Sequence, residues 1–155
     1  MPDTELDQFD LKILAALQEN NQASAHVLAE TIPLSPSAIL RRIRGFRHSG
    51  VIAADVSILN PDMLGGRLSV LFLLQLESHD PAALEGLRTL LVETPQVQTC
   101  LAITGGNDMM CLATFRNMAE FNAFADKQIG PHPMVKRYEA SLVKRRVKTS
   151  MTFPL

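Results

Sequence analysis

Between Ser35 and Gly50 the chain holds Arg41, Arg42, Arg44, Arg47 and His48 and not one acid. Residues 1–34 carry six acids against a single lysine. A cluster of guanidinium forks has one obvious chemistry, which is bidentate donation to phosphate or to the O6/N7 edge of guanine. At about 100° per residue, Ile39, Ile43 and Phe46 fall on one stripe of a helix, with Ser37, Arg41, Arg44 and His48 opposite and Arg42 and Arg47 on the flanks. Such a helix can bury one side and offer the other to a polyanion. The alternative is an ordinary solvated basic face.

The elements around this segment decide between the two. Leu6, Phe9, Ile13 and Leu17 recur at helical spacing, and Asp7 and Asp10 suit a first turn. Ser24 is a natural cap for a second helix carrying Val27, Leu28 and Ile32, which Pro33 must end. Ser35 then caps a third helix with Pro36 as its first residue, and Gly50 stops it. Two short helices across a tight turn, the second apolar on one side and arginine-rich on the other, form a helix-turn-helix pattern. This favours double-stranded DNA over solvation alone. Ser37 and Arg41 are expected nearest the base edges, with Arg42, Arg44 and Arg47 at phosphates. Ser35 is expected as a cap with a phosphate contact.

After Gly50 the periodicity changes. Val51 to Leu59 reads as an extended arm, and Gly65-Gly66 as a break. From Leu68 the order is strand (Leu68 to Leu76), helix (Pro81 to Glu93, capped by Asp80), strand (Val97 to Thr104), a Gly105-Gly106-Asn107-Asp108 turn, strand (Met109 to Phe115), helix (Met118 to Ile129) and strand (Val135 to Val147). That is the split βαβ of a ferredoxin-like domain. The fold class expected is α+β: an N-terminal (winged) helix-turn-helix domain over 1–52, a linking strand or hinge over 53–66, and a ferredoxin-like domain over 67–155. Val70 to Leu74 and Met109 to Ala113 are apolar at both parities, so both sheet faces are expected to be buried. Helices cover only one of them, and a second copy is the simplest cover for the other. A homodimer or a higher even oligomer is expected, since two symmetric helices also read a palindrome.

Composition sets limits. The 155 residues carry a net charge of −1, which excludes a uniformly basic coat. With 46% hydrophobic residues the chain is not a disordered one. Two cysteines, Cys100 and Cys111, make no disulfide framework. They fall on adjacent predicted strands as packing residues, with a redox switch as the other reading. The longest apolar run is far short of the about 18–20 residues of a membrane span. No leader pattern opens the chain, so a cytoplasmic protein is expected. His26, His48, His79 and His132 have no ligand spacing, and no nucleophile–base pair, P-loop or dinucleotide fingerprint occurs. Neither an enzyme, nor a metal site, nor a cofactor is expected. Lys144-Arg145-Arg146 with Lys148 reads as a solvated strand end or as auxiliary charge for DNA.

Together these residues resemble the Lrp/AsnC (feast/famine) transcription regulators. Leu6-Asp7-Gln8-Phe9-Asp10-Leu11-Lys12-Ile13-Leu14 is similar to the family's opening. Leu34-Ser35-Pro36-Ser37-Ala38 with Arg41-Arg42-Ile43 and Gly50-Val51-Ile52 is similar to its recognition-helix signature. Leu101 to Leu112 resembles the turn that ends its βαβ half. The resemblance implies a sequence-specific DNA-binding regulator whose dimers assemble up to octamers and answer to an amino-acid effector. The effector site it implies lies at dimer–dimer contacts, with Thr104, Gly105, Gly106, Asn107, Asp108 and Met109 on one side and a partner wall from the last strand, where Tyr138, Glu139 and Ser141 are candidates. Where the family has Gly-Asp-Tyr-Asp, this chain has Gly105-Gly106-Asn107-Asp108. An architectural protein that wraps DNA without an effector stands as the alternative.

Overall fold

The computed structural model describes residues 5–155. Residues 1–4, which the sequence reading includes in the first domain, lie outside the described residues. The backbone divides into two compact units. One runs up to Ile58 and includes Lys148–Leu155, and the other is Leu59–Val147.

The first unit begins with reciprocal capping. The Asp7 carboxylate accepts the Asp10 N–H at 2.8 Å, and the Asp10 carboxylate accepts the Asp7 N–H at 3.0 Å. Two of the orphan donors of α1 (Gln8–Glu19) are thereby satisfied. Arg42 reaches across from the third helix and donates to both carboxylates, at 2.7 Å to Asp7 and 2.5 Å to Asp10. Asp10 is buried, and this pairing offsets the cost of holding its charge there. Ser24 caps α2 (Ala25–Ala29). This helix ends before the expected Ile32: the Leu28 carbonyl collects the N–H and hydroxyl of Thr31 and the N–H of Ile32, and Pro33 has no N–H to continue the ladder. Ser35 caps α3 (Pro36–Ser49), Pro36 occupies its first turn, and Gly50 ends it at φ 79°, a conformation glycine adopts without a Cβ penalty. Ile39, Ile43 and Phe46 close a core with Ile13, Leu14, Leu28 and Ile32.

Residues 51–59 form no strand. Val56, Ile58 and Leu59 are 67%, 81% and 64% exposed. An extended arm becomes a strand only when another chain segment takes its N–H and C=O groups. No strand precedes Leu68 among the described residues, so the helical unit has no hydrogen-bonded wing. A 3-10 turn, Pro61–Leu64, leads to Gly65 and Gly66, both at positive φ. The terminal segment lies with the helices: the Gln18 side chain donates to the Phe153 carbonyl at 3.0 Å and accepts its N–H at 2.6 Å. The sequence reading instead carries this segment with the second domain.

In the second unit, β1 (Leu68–Leu76), α4 (Pro81–Glu93), β2 (Val97–Ala102), β3 (Met109–Phe115), α5 (Met118–Phe124) and β4 (Val135–Leu142) follow in sequence. The sheet order is β2-β3-β1-β4, antiparallel throughout. This is the ferredoxin-like split, with β3 inserted between β1 and β2. Helix α5 runs on into one π turn, Ala125–Ile129, closed by the Gly130 N–H to the Ala125 carbonyl at 2.8 Å. Strand β4 stops at Leu142 rather than Val147: its last pairing sets Leu142 opposite Val70, and the Val143 N–H closes the ladder on the Ser69 carbonyl at 2.8 Å.

The pleat divides the sheet. Val70, Phe72, Leu74 and Leu76 point to the helices and are buried with Leu84, Leu87, Leu91, Phe115, Phe124 and Ile129. The opposite face is the one for which the sequence reading expects a second copy as cover. Leu71, Leu73, Met110 and Leu112 are only half-buried, and Leu101 is exposed. Both helices lie on one side, and within the described residues of this unit nothing covers the other.

Phe72 sits at the centre of a ring cluster, within 5.6–6.3 Å centroid distance of Phe115, Phe121, Phe124 and Tyr138. Phe72→Ala is expected to lower the unfolding free energy by about 3–5 kcal/mol in urea titrations, and a cost under 1 kcal/mol would contradict this packing. In the helical unit, the Asp10 N–H and then Arg42 hold the Asp7 carboxyl below its ordinary value of 3.8. Its stabilising contribution is therefore complete above that value and is lost as pH falls through the lower folded value. Arg42→Ala is expected to lower the melting temperature at neutral pH and to reduce the acid sensitivity of the helical circular dichroism.

Candidate nucleic-acid interface and effector turn

Helix α3 is held by one stripe, which decides what its other side can do. Ser37, Arg41, Arg44 and His48 are exposed, and no acid pairs with Arg41 or Arg44 among the described residues. Ser35 Oγ accepts the Ala38 N–H at 3.2 Å and lies 3.1 Å from Ser37 Oγ. The start of the helix therefore presents two hydroxyls at the positive end of the helix dipole, a combination that suits phosphate.

The flanking arginines differ from that expectation. Arg42, read from the sequence as a phosphate ligand, is committed to Asp7 and Asp10 with its side chain 27% exposed. Its position beside the apolar stripe turns the guanidinium toward α1, and the burial of Asp10 fixes it there. Arg47 pairs with Asp55 at 2.8 Å, with both side chains nearly half exposed. A pair of that kind is worth about 0–1 kcal/mol, so a phosphate can displace Asp55. The free cationic set on this helix is thus Arg41 and Arg44, with Arg47 available by exchange.

At the other candidate site, the chain between β2 and β3 is pinned rather than loose. The Ile103 N–H bonds the Asp108 carbonyl at 2.9 Å, and the Asp108 N–H bonds the Leu74 carbonyl at 2.8 Å. Asp108 Oδ2 accepts the Leu76 N–H at 2.8 Å, and Oδ1 lies 3.7 Å from His79 Nε2. Gln75 Nε2 donates to the Gly106 carbonyl at 2.9 Å. Gly105 has φ 127°, a backbone conformation that side chains rarely adopt. Thr104, Gly105 and Gly106 are exposed, and Asn107 and Asp108 are half-buried.

Four residues of the expected effector set are divided between the two faces of the sheet. Met109 is buried in the core, on the helix side of the sheet. Tyr138 pairs with Leu74 and packs on Phe72 beneath the helices, whereas Glu139 and Ser141 pair with Leu73 and Leu71 on the open face. The two-residue period of a strand separates Tyr138 from Glu139 and Ser141, so they form no common wall. Gln75 and His79, beside the turn, escaped the sequence reading. Extending the antiparallel register from Leu74 opposite Met109 brings Gln75 to Asp108, and that was the available signal.

Among the described residues no cluster of three or more His, Cys, Asp or Glu could hold a metal ion. Among the described residues no helix is long and apolar enough to cross a membrane.

Comparison with known proteins identifies the arrangement. An AsnC-type helix-turn-helix domain matches residues 6–47, and an Lrp/AsnC ligand binding domain matches residues 69–153. An uncharacterized HTH-type transcriptional regulator of Sinorhizobium fredii is 30% identical over 151 residues, covering 97% of this chain and 89% of its own. The Bkd operon transcriptional regulator of Pseudomonas aeruginosa is 30% identical, covering 97% of this chain and 99% of its own. Among solved structures, a transcriptional regulator from Neisseria meningitidis in complex with L-Met superimposes with a TM-score of 0.86 at 29% identity, over 96% of both chains. With its helix-turn-helix unit and its ferredoxin-like unit both matched, the chain belongs to the Lrp/AsnC family and is a DNA-binding transcriptional regulator, not an enzyme.

Proposed function

We propose that this regulator reads double-stranded DNA through the outer side of α3 and answers to a small amino acid at the β2–β3 turn. The observation that carries the first part is the exposed, acid-free row of Ser37, Arg41 and Arg44 opposite the buried stripe. Ser37 and Arg41 address base edges, Arg44 and Arg47 take phosphates, and Ser35 orders the helix start. Arg42 acts indirectly, by tying α3 to the capping box of α1. The regulator works where the chromosome is, in the cytoplasm. Its functional parts are proposed as 1–52 for DNA, 53–66 as a hinge, and 67–155 for effector and assembly.

The effector reading is supported by the L-Met complex of the Neisseria relative and by the chemistry of the turn. Open backbone donors at Gly105 and Gly106 suit a carboxylate, while Asp108 Oδ1 and the Asn107 carbonyl suit an ammonium group. Thr104, Gln75 and His79 complete the rim. Assembly is proposed through the uncovered sheet face, where Leu71, Leu73, Leu101, Met110 and Leu112 form an apolar surface that a two-fold partner would cover. Dimers paired in this way can build an octamer.

Three measurements test these proposals. A salt-titrated binding assay on the DNA upstream of the protein's own gene should show a steep salt dependence. Arg41→Ala should cost about 1–3 kcal/mol of discrimination between operator and unrelated DNA, and unchanged preference would remove Arg41 from the base-reading set. Light scattering should give an even multiple of the 17.1 kDa chain, reduced by Leu73→Lys, whereas a wild-type monomer at micromolar concentration would refute the assembly. Calorimetry across the twenty amino acids should show heat with at least one apolar member. No heat with any of them would leave the architectural, effector-free reading in its place.

A further inference from the structure

Two sulfurs that the regulator's reading leaves unused lie side by side. Cys100 on β2 and Cys111 on β3 are direct cross-strand partners, and their Sγ atoms are 3.2 Å apart. The phase of the ladder favours them. The Ile103 N–H to Asp108 carbonyl bond makes 103/108 a hydrogen-bonded pair, so alternation makes 101/110 bonded and 100/111 non-bonded. Side chains approach most closely at non-bonded pairs, where Cα atoms stand about 4.5 Å apart, within the about 4.4–6.8 Å span of a disulfide. Closing the bond asks the sulfurs to move together by about 1 Å, within reach of side-chain rotation.

We propose that Cys100 and Cys111 form a reversible, hydroperoxide-sensitive dithiol site that closes to an intrachain disulfide and ties edge strand β2 to β3. The two thiols are not equivalent. Cys100 is half-buried and Cys111 is fully buried. The hydrogen bond from Cys111 pulls the Cys100 thiol down to about 7, while the same bond, burial and the neighbouring charge push Cys111 up. Cys100 is therefore the nucleophile, and Cys111 resolves. In the first step the Cys100 thiolate attacks a peroxide oxygen, an S–O bond forms, the O–O bond breaks, and the leaving oxygen departs as water or alcohol. In the second step the Cys111 sulfur attacks the sulfenic sulfur, the S–S bond forms, and the hydroxyl leaves as water with the Cys111 proton. Two thiols are oxidised by two electrons and one peroxide is reduced. A pair joined across adjacent strands is of the labile kind that a reducing compartment uses for sensing rather than for stability.

The test is intact-mass and thiol analysis of the full chain after hydrogen peroxide, independent of any DNA or amino-acid measurement. The expected product has lost two hydrogens and both thiols, remains a single chain on a non-reducing gel, and is restored by dithiothreitol. Cys111→Ala should stop at a sulfenic acid on Cys100 that a cyclic 1,3-dione traps. Cys100→Ser should leave Cys111 unoxidised under the same exposure. Oxygen adducts on Cys100 as the wild-type end product, cross-links between chains, or retention of both thiols would each overturn the proposal. Oxidation of Cys111 in Cys100→Ser at the wild-type rate would overturn the assignment of Cys100 as nucleophile.

Discussion

An apolar face can be buried only once, and both units of this protein are organised by that constraint. In α3 the stripe of Ile39, Ile43 and Phe46 spends the helix's hydrophobic side on α1 and α2. The 3.6-residue period then compels Arg41 and Arg44 to face water. In β1 the two-residue period sends Val70, Phe72 and Leu74 to the helices and leaves Leu71 and Leu73 on the other side. The helix thus keeps a charged surface free for a polyanion. The sheet keeps an oily one that its own helices do not cover.

Electrostatics refines this division. Overall charge near zero conceals a segregation in which acids dominate residues 1–34 and arginines the third helix. Arg42 is where the two meet. Its bonds to the Asp7 and Asp10 carboxylates convert the capping of α1 into a tie between helices, at the expense of one cation on the DNA side. An exposed pair such as Arg47–Asp55 carries no such commitment, because water screens it and either partner can be exchanged.

The turn between β2 and β3 shows the same economy. Glycine at 105 allows the backbone to turn, and the Asp108 carboxylate secures the end of β1 by accepting the Leu76 N–H. One Asp108 oxygen is structural, and the other faces His79. The adjoining Cys100–Cys111 pair belongs to the helix-facing side of the same two strands, away from the open face, so the proposed thiol chemistry and the proposed assembly would draw on opposite sides of one sheet.

Local order was written in the sequence. Ser24, Ser35 and Asp80 as caps, Pro36 and Pro81 as first-turn residues and Gly50 as a stop all act through neighbours a few residues away, and such signals are visible in a linear text. The order of strands was legible too, because alternating β and α segments admit few topologies. What required tertiary structure was every contact between distant residues. That Arg42 belongs to Asp7 and Asp10, that Gln75 and His79 stand at the glycine turn, that Tyr138 lies under the helices while Glu139 does not, and that residues 51–59 form no strand were all decided by packing and register. Periodicity tells which side of an element a residue occupies, and only the folded chain determines what stands opposite that side.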